Sequence, residues 1–338
     1  MSDFYFKRDA VVKISSEPDA TADVTNTIKL RVKDFSWNQT SQSASQSRHT
    51  LYTLQDRGSM HYVDSLNPIT FNFTTYILPM VDTNVTSPEE YLWLSLMGDP
   101  AGISSNSTSS TIDFASGNVS QLHNLTIWVD QPSKTEGNFR LNNAIVDSAE
   151  INFDINNIAE IKWSGRALST TSDNNPPSSI DRGDEVGYLK NKLSTMSVTI
   201  NTVSYTLILT GGSLTVNNNN SYYSRRQIGK VTAPAGSYTG HRVISGNVKS
   251  YFKSGASQSA DIWRVINNNI IDDDYESTFL VDATINIGGA SAPNVQLVLP
   301  AILFDKASIN FDEVYSLTVP FKLQEQSGSY MSVIYQMP

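Results

Sequence analysis

The residues that would have to carry any chemistry here are four histidines and one dense carboxylate run, because the 338 residues include no cysteine. That absence removes thiol catalysis, disulfide frameworks and zinc-thiolate sites together. His49, His61, His123 and His241 are scattered without metal-ligand spacing. The run Asp272-Asp273-Asp274-Tyr275-Glu276 lacks the glycine and the spacing of a calcium loop and reads as a solvated loop. Gly229-Lys230 has neither the upstream glycine nor the following Ser/Thr of a phosphate loop. No G-x-S-x-G occurs, and no nucleophile stands beside an obvious base. Asn-x-Ser/Thr triplets at Asn38, Asn84, Asn106, Asn118 and Asn124 are expected by chance in a chain so rich in these residues. No catalytic residue, metal ligand or cofactor is expected.

Composition suits a structural role. Hydrophobic residues make up 39% of the chain, enough for an ordinary core. Charged residues are 17%, low against the ~25% of an average domain, and Ser, Thr and Asn fill the gap. That mix fits strands with a hydroxylated wet face and polar turns. Net charge is −9, and most of it lies early, since residues 1–178 hold 12 Lys+Arg against 20 Asp+Glu. Such a chain does not grip nucleic acid by phosphate neutralisation. The charge serves either solubility alone or a surface that lies near DNA and repels it. The start, MSDFYFKRDAVVK, shows no signal peptide, and no apolar run approaches the ~20 residues of a membrane-spanning helix.

The elements follow from periodicity. In Ala149–Leu168, Ile151, Phe153 and Ile155 alternate with Glu150, Asn152 and Asp154; past Asn156-Asn157, Ala159, Ile161 and Trp163 alternate with Glu160, Lys162 and Ser164. Two period-2 runs around an Asn-Asn pair predict an antiparallel hairpin with one wet face. Most of it recurs at Ala307–Leu323, where Ile309 and Phe311, then Leu317, Val319 and Phe321, are apolar. Asp154 maps to Asp312 and Trp163 to Phe321, both 158 residues on, and Thr126 maps likewise to Thr284. The strand Ile28, Leu30, Val32 echoes Tyr205, Leu207, Leu209, and Ile69–Ile77 echoes Ile244–Phe252. Ser87-Pro88-Glu89-Glu90 reads as a capping box opening a helix with the stripe Leu92, Trp93, Leu96. A second helix begins at Ser257 with Ile262, Trp263, Ile266. Polar segments of ~20 residues, Asn38–His61 and Asn217–Tyr238, read as binding or disordered loops. Arg48 and Arg57 in the first and Arg225 and Arg226 in the second are either contact points or solvated. The expectation is a mainly β chain of two tandem units, 1–168 and 183–338, joined by a polar linker at 169–182 with a Pro-Pro step.

At the central hairpin, Glu150–Ala167 (EINFDINNIAEIKWSGRA) resembles the strand, turn and Trp-Ser-Gly strand end of bacteriophage tail tube (major tail) proteins. Asn218–Asn247 resembles the same family's loop-to-strand region, whereas the second hairpin lacks the Ser164-Gly165 step and reads Lys322-Leu323 there. The resemblance implies two tandem copies of the fold shared by tail tubes and the type VI secretion tube, each a β-sandwich or barrel flanked by one helix. It implies pseudo-hexameric rings of three chains, stacked into a tube that conducts DNA during genome ejection. On that reading the lumen is lined by the hairpins' wet faces: Asn152, Asp154, Glu160 and Lys162, with Asn310, Asp312, Thr318 and Lys322. The alternative is that these face outward. Arg48, Arg57, Arg225 and Arg226 become inter-ring candidates. The implied partners are further copies of the chain, the tail tip, terminator and tape-measure proteins, and transient DNA, with no membrane. The place is the virion tail, after assembly in the host cytoplasm. The competing reading is a virion adhesin or lectin-like β-sandwich binding glycans through its polar loops and Tyr222-Tyr223. A capsid decoration or baseplate protein is a third.

Overall fold

Alternating burial along nearly every strand shows why this sequence makes sheets: Ile69, Phe71, Phe73 and Thr75 point inward while Thr70 and Asn72 point out. The computed structural model describes residues 9–20, 27–47, 59–80, 87–98, 102–114, 122–132, 137–173, 176–181, 187–200, 202–223, 236–270, 280–325 and 330–337.

The chain begins with β1 (Val11–Ser15), β2 (Ile28–Leu30), β3 (Val32–Asn38), β4 (Ser41–Ser47), β5 (Ser59–Leu66) and β6 (Ile69–Tyr76). Helix α1 (Glu90–Met97) follows, then β7 (Ile103–Ser105), β8 (Ser109–Asp113), β9 (Leu125–Asp130), β10 (Phe139–Asn152), β11 (Glu160–Ala167) and β12 (Ser169–Ser172). Next come β13 (Ile180–Asp181), β14 (Thr195–Ile200), β15 (Val203–Asn217), β16 (Ser221–Tyr223), β17 (Gly236–Tyr238) and β18 (Val243–Tyr251). After α2 (Ser259–Ile270) run β19 (Val281–Ile287), β20 (Val295–Phe304), β21 (Ser308–Asn310), β22 (Ser316–Leu323) and β23 (Ser332–Gln336). The chain is mainly β. The stretch read as a linker carries β12, paired with β10, and β13, paired in parallel with β2.

In the C-terminal half the pairings close on themselves as a barrel, β14–β15–β18–β22–β20–β19 and back to β14. In the N-terminal half the matching circuit runs β1–β2, then β3–β6–β11–β10–β9 and back to β1, with only Arg31 between β2 and β3. Irregularities match too. β3 carries a bulge between Val32 and Asp34 and β15 one between Leu209 and Gly211. β10 bulges against β9 between Leu141 and Ala144 with Asn143 at φ 48°, and β20 against β19 between Leu299 and Ile302 with Ala301 at φ 56°. At both positions the strand carries one extra residue, the device that bends a strand and increases its twist.

Following these pairings moves two sequence matches. Glu150 opposite Lys162 corresponds to Ser308 opposite Thr318, so Trp163 aligns with Val319 rather than Phe321. The reason is the turn: residues 153–159 separate β10 from β11, but only 311–315 separate β21 from β22. Thr126 likewise corresponds to Asp282, not Thr284. The correction recovers the glycine that looked missing. Gly165 on β11 faces Phe71 on β6, and Phe321 on β22 faces Gly246 on β18, the same pair with its members exchanged. A Cβ at Gly165 would lie 2.4 Å from Phe71 Cζ and 2.2 Å from the Ile145 carbonyl; at Gly246 it would lie 2.8 Å from Phe321 Cζ. In each half a phenylalanine ring covers a bare glycine across the strands. Gly165→Ala and Gly246→Ala are each expected to cost about 1–3 kcal/mol by overpacking, read as a lower urea midpoint.

The helices depart from expectation in detail. The turn Ser87–Glu90 closes through the Glu90 N–H donating to the Ser87 carbonyl, and the N-cap is Glu89 without a side-chain cap, so no capping box forms. Instead of one stripe, every residue from Tyr91 to Met97 is buried. α2 starts two residues after Ser257; its Ile262 and Ile266 are buried while Trp263 is half-buried against Phe252, 6.2 Å between rings. Both polar segments hold hairpins where loops were expected, β4–β5 and β16–β17.

Candidate functional site

Strands β3, β6, β11 and the C-terminal part of β10 form one antiparallel sheet, and β15 continues it directly into β18 and β22. The joint is the pairing of Ser148–Asn152 with Ser213–Asn217. β20 and β21 lie beyond β22. One face of this sheet packs on the core; the other is a polar wall crossing both halves of the chain.

Rows of cross-strand neighbours define that wall. One runs Asp34, Thr74, Lys162, Glu150, Thr215, Ser245, Lys322. Its neighbour runs Tyr76, Glu160, Asn152, Ser213, Asn247, Pro320. Side chains are tied laterally: Ser36 Oγ donates to Asn72 Oδ1 (2.9 Å), Ser148 and Ser164 share a hydrogen bond (2.7 Å), and Asn247 Nδ2 donates to Ser213 Oγ (3.3 Å). Lys33 donates to Glu160 Oε1 (2.9 Å), and that bond and charge raise the Lys33 ammonium above its ordinary pKa. Asp34, Glu150, Glu160 and, at the rim, Asp154 balance Lys33, Lys162, Lys249 and Lys322, so this wall is neutral rather than acidic. The excess negative charge of the chain lies elsewhere.

Pro320 interrupts the ladder without cost. Its carbonyl accepts from the Asp305 N–H (2.9 Å), so its missing N–H points to the same side, into the gap between β20 and β21.

Of the residues expected to share a face, Asn152, Glu160, Lys162, Thr318 and Lys322 stand on this wall. Asn310 joins them opposite Ser316. Asp154 sits in the turn at its rim, accepting from the Asn156 N–H (3.0 Å) and from Asn157 Nδ2 (2.8 Å). Asp312 occupies the shorter turn of the second hairpin. Asp154, Asn157, Gly211 and Lys249 edge a hollow where the halves join. Arg48, Arg57, Arg225 and Arg226 lie outside the described residues, as does the 272–276 carboxylate run.

Thr74, Thr215 and Lys249 hold wet positions of alternating strands that the sequence does not single out, whereas Asp34 reaches the wall only through the bulge between Val32 and Asp34. At the opposite rim Asp147 accepts from Asn220 Nδ2 (2.7 Å) and pairs with Arg166 Nε (3.2 Å). The Arg166 guanidinium lies over the Tyr222 ring at 5.1 Å. Burial raises both the Asp147 carboxyl and the Tyr222 phenol. Chemically the wall offers weak, balanced polar contacts. Among the described residues no group of three or more His, Asp or Glu is placed to hold a metal.

No family model matches the chain. Over 262 aligned residues it is 30% identical to tail tube protein pb6 of Escherichia phage T5, a match spanning 71% of this chain. The chain covers 56% of that protein's length.

Proposed function

Starting from the chain's homology to a phage tail tube protein, we propose that it is a structural subunit of a phage tail tube, assembled in the host cytoplasm and carried in the virion tail. Each chain supplies two copies of one barrel unit, so that three chains close a pseudo-hexameric ring and rings stack into a conduit for DNA. The observation that carries this reading is the polar sheet running unbroken from β3 to β22, because an edge-to-edge array of such sheets makes a continuous cylinder wall. Matching circuits, bulges and positive-φ corners support the two-unit reading. A closed ring also removes the open sheet edges that a lone subunit would expose.

The wall suits passage. Balanced charge and short hydroxyl and amide side chains offer DNA no counterion-releasing grip. Tail tip, terminator and tape-measure proteins are the partners such a tube requires.

Purified protein is expected to form rings or tubes by negative-stain microscopy; a discrete oligomer that binds glycans would favour the adhesin reading instead. Asp154→Lys tubes are expected to assemble normally and to eject the genome more slowly, with the deficit shrinking as salt screens the added charge. Ejection at the wild-type rate would move the lumen to another face.

A further inference from the structure

We propose that a second copy of this chain docks edge to edge, its β3 taking against the β21 edge the place that β15 takes against β10. This rests on the ring reading and adds which edges meet and in what register.

The template lies inside the chain. At the β10–β15 joint Ile151 faces Leu214, Asn152 faces Ser213, and the Phe153 N–H donates to the Gly212 carbonyl (2.8 Å). β21 stands where β10 stands: Asn310 is opposite Ser316 as Asn152 is opposite Glu160. β3 stands where β15 stands: Ser36 is opposite Asn72 as Ser213 is opposite Asn247, after equivalent bulges. Carrying the joint across puts Ile309 against Trp37 and Asn310 against Ser36 of the next copy. The Phe311 N–H then meets the Phe35 carbonyl.

Three observations say that this place is waiting for a copy. Phe153 is 1% exposed, yet Phe311 at the matching position is 74% exposed, its ring touching only the open turn at Tyr315 among its described aromatic contacts. Trp37 is 38% exposed and Ile309 half-buried, on edges that pair with no further strand among the described residues. Beside Phe35 an open pocket is lined by Val12, Leu30, Val32 and Val129. Its counterparts Met196, Leu207, Leu209 and Ile285 are all fully buried, whereas Val32 and Phe35 at the pocket are only partly so. Phe311 fits that pocket in chemistry and position. Strands spaced about 4.8 Å apart put the two edges of this sheet on the order of 30 Å from one another, so the occupant is another chain.

A chain without cysteine makes the test clean. Oxidised tubes of Ser36→Cys/Asn310→Cys protein are expected to run as covalent ladders on non-reducing gels, with most chains linked. Ser36→Cys/Ser308→Cys, two residues out of register, should link several-fold less. Phe311→Asp is expected to abolish assembly while leaving the monomer's melting temperature unchanged, because the ring is exposed there; Phe311→Leu should restore tubes. Tubes whose 36/310 cysteines stay reduced, or Phe311→Asp tubes like wild type, overturn this edge pairing and leave the tube reading standing. Wild-type protein that forms neither ring nor tube overturns both.

Discussion

Trp163→Ala is expected to lower the unfolding free energy by about 3–5 kcal/mol, the range for emptying a buried aromatic site. Trp163 is fully buried and donates its ring N–H to Thr75 Oγ1 (2.9 Å). Its ring meets Trp93 edge to face, centroids 4.9 Å apart, and Trp93 in turn meets Phe114 at 6.2 Å. Trp93 Nε1 donates to the Tyr335 hydroxyl (2.8 Å). The stack therefore joins β6, β11 and α1 to the C-terminal strand β23, which pairs with β8 of the opposite half. Alanine would leave a void and an unpaired Thr75 hydroxyl in the same place, so the loss should sit at the upper end. Trp263→Ala, at the matching position of α2 but only half-buried, should cost about 1–2 kcal/mol, scaled to the smaller area removed from water. Urea unfolding of both variants checks this; equal losses would show that burial is not what distinguishes the two helices. A Trp93/Trp163 double-mutant cycle should return about 0.5–1.5 kcal/mol for the ring contact itself.

Stability should also fall as pH rises, and Glu89→Gln should remove that fall. Glu89 is buried, and burial pushes its carboxyl up to about 8, outweighing the hydrogen bond from the Tyr335 hydroxyl (3.2 Å). The folded chain thus keeps a proton that the unfolded chain loses near the ordinary value of 4.5. Between those two pH values the folded state binds more protons, so this contribution is full below about 4.5 and is lost as pH climbs to about 8. The loss is on the order of 4–5 kcal/mol at about 1.4 kcal/mol per pH unit. Glu89→Gln and wild type should unfold at similar urea concentrations at pH 4.5. At pH 8.5 the variant should be the more stable by several kcal/mol. Parallel pH curves would mean that Glu89 is ionised in the fold. Tyr335, whose phenol burial and the neighbouring Glu89 push upward, stays protonated throughout this range.

Much of the architecture was legible from spacing. Period-2 runs gave β6, β11, β18 and β22 their faces, because a strand that buries one side must alternate. Tryptophan at matching places announced both helices. The start of α1 departs from the sequence pattern since Glu89 is buried against Tyr335, 246 residues away. The polar segments looked like loops because a hairpin that buries little has no apolar period to show. The Trp163–Phe321 match slipped by two because a turn can shorten without changing the pattern on either side of it.

By itself the sequence determined a mainly β chain with one repeated pattern and polar strand faces, since these depend on residue type and local period. Only the tertiary structure decided that the two halves share one wall, that its charges cancel, and that Phe153 is sealed while Phe311 stands open. Those properties depend on which strands become neighbours, and β10 and β15 meet through backbone hydrogen bonds that every residue type but proline supplies.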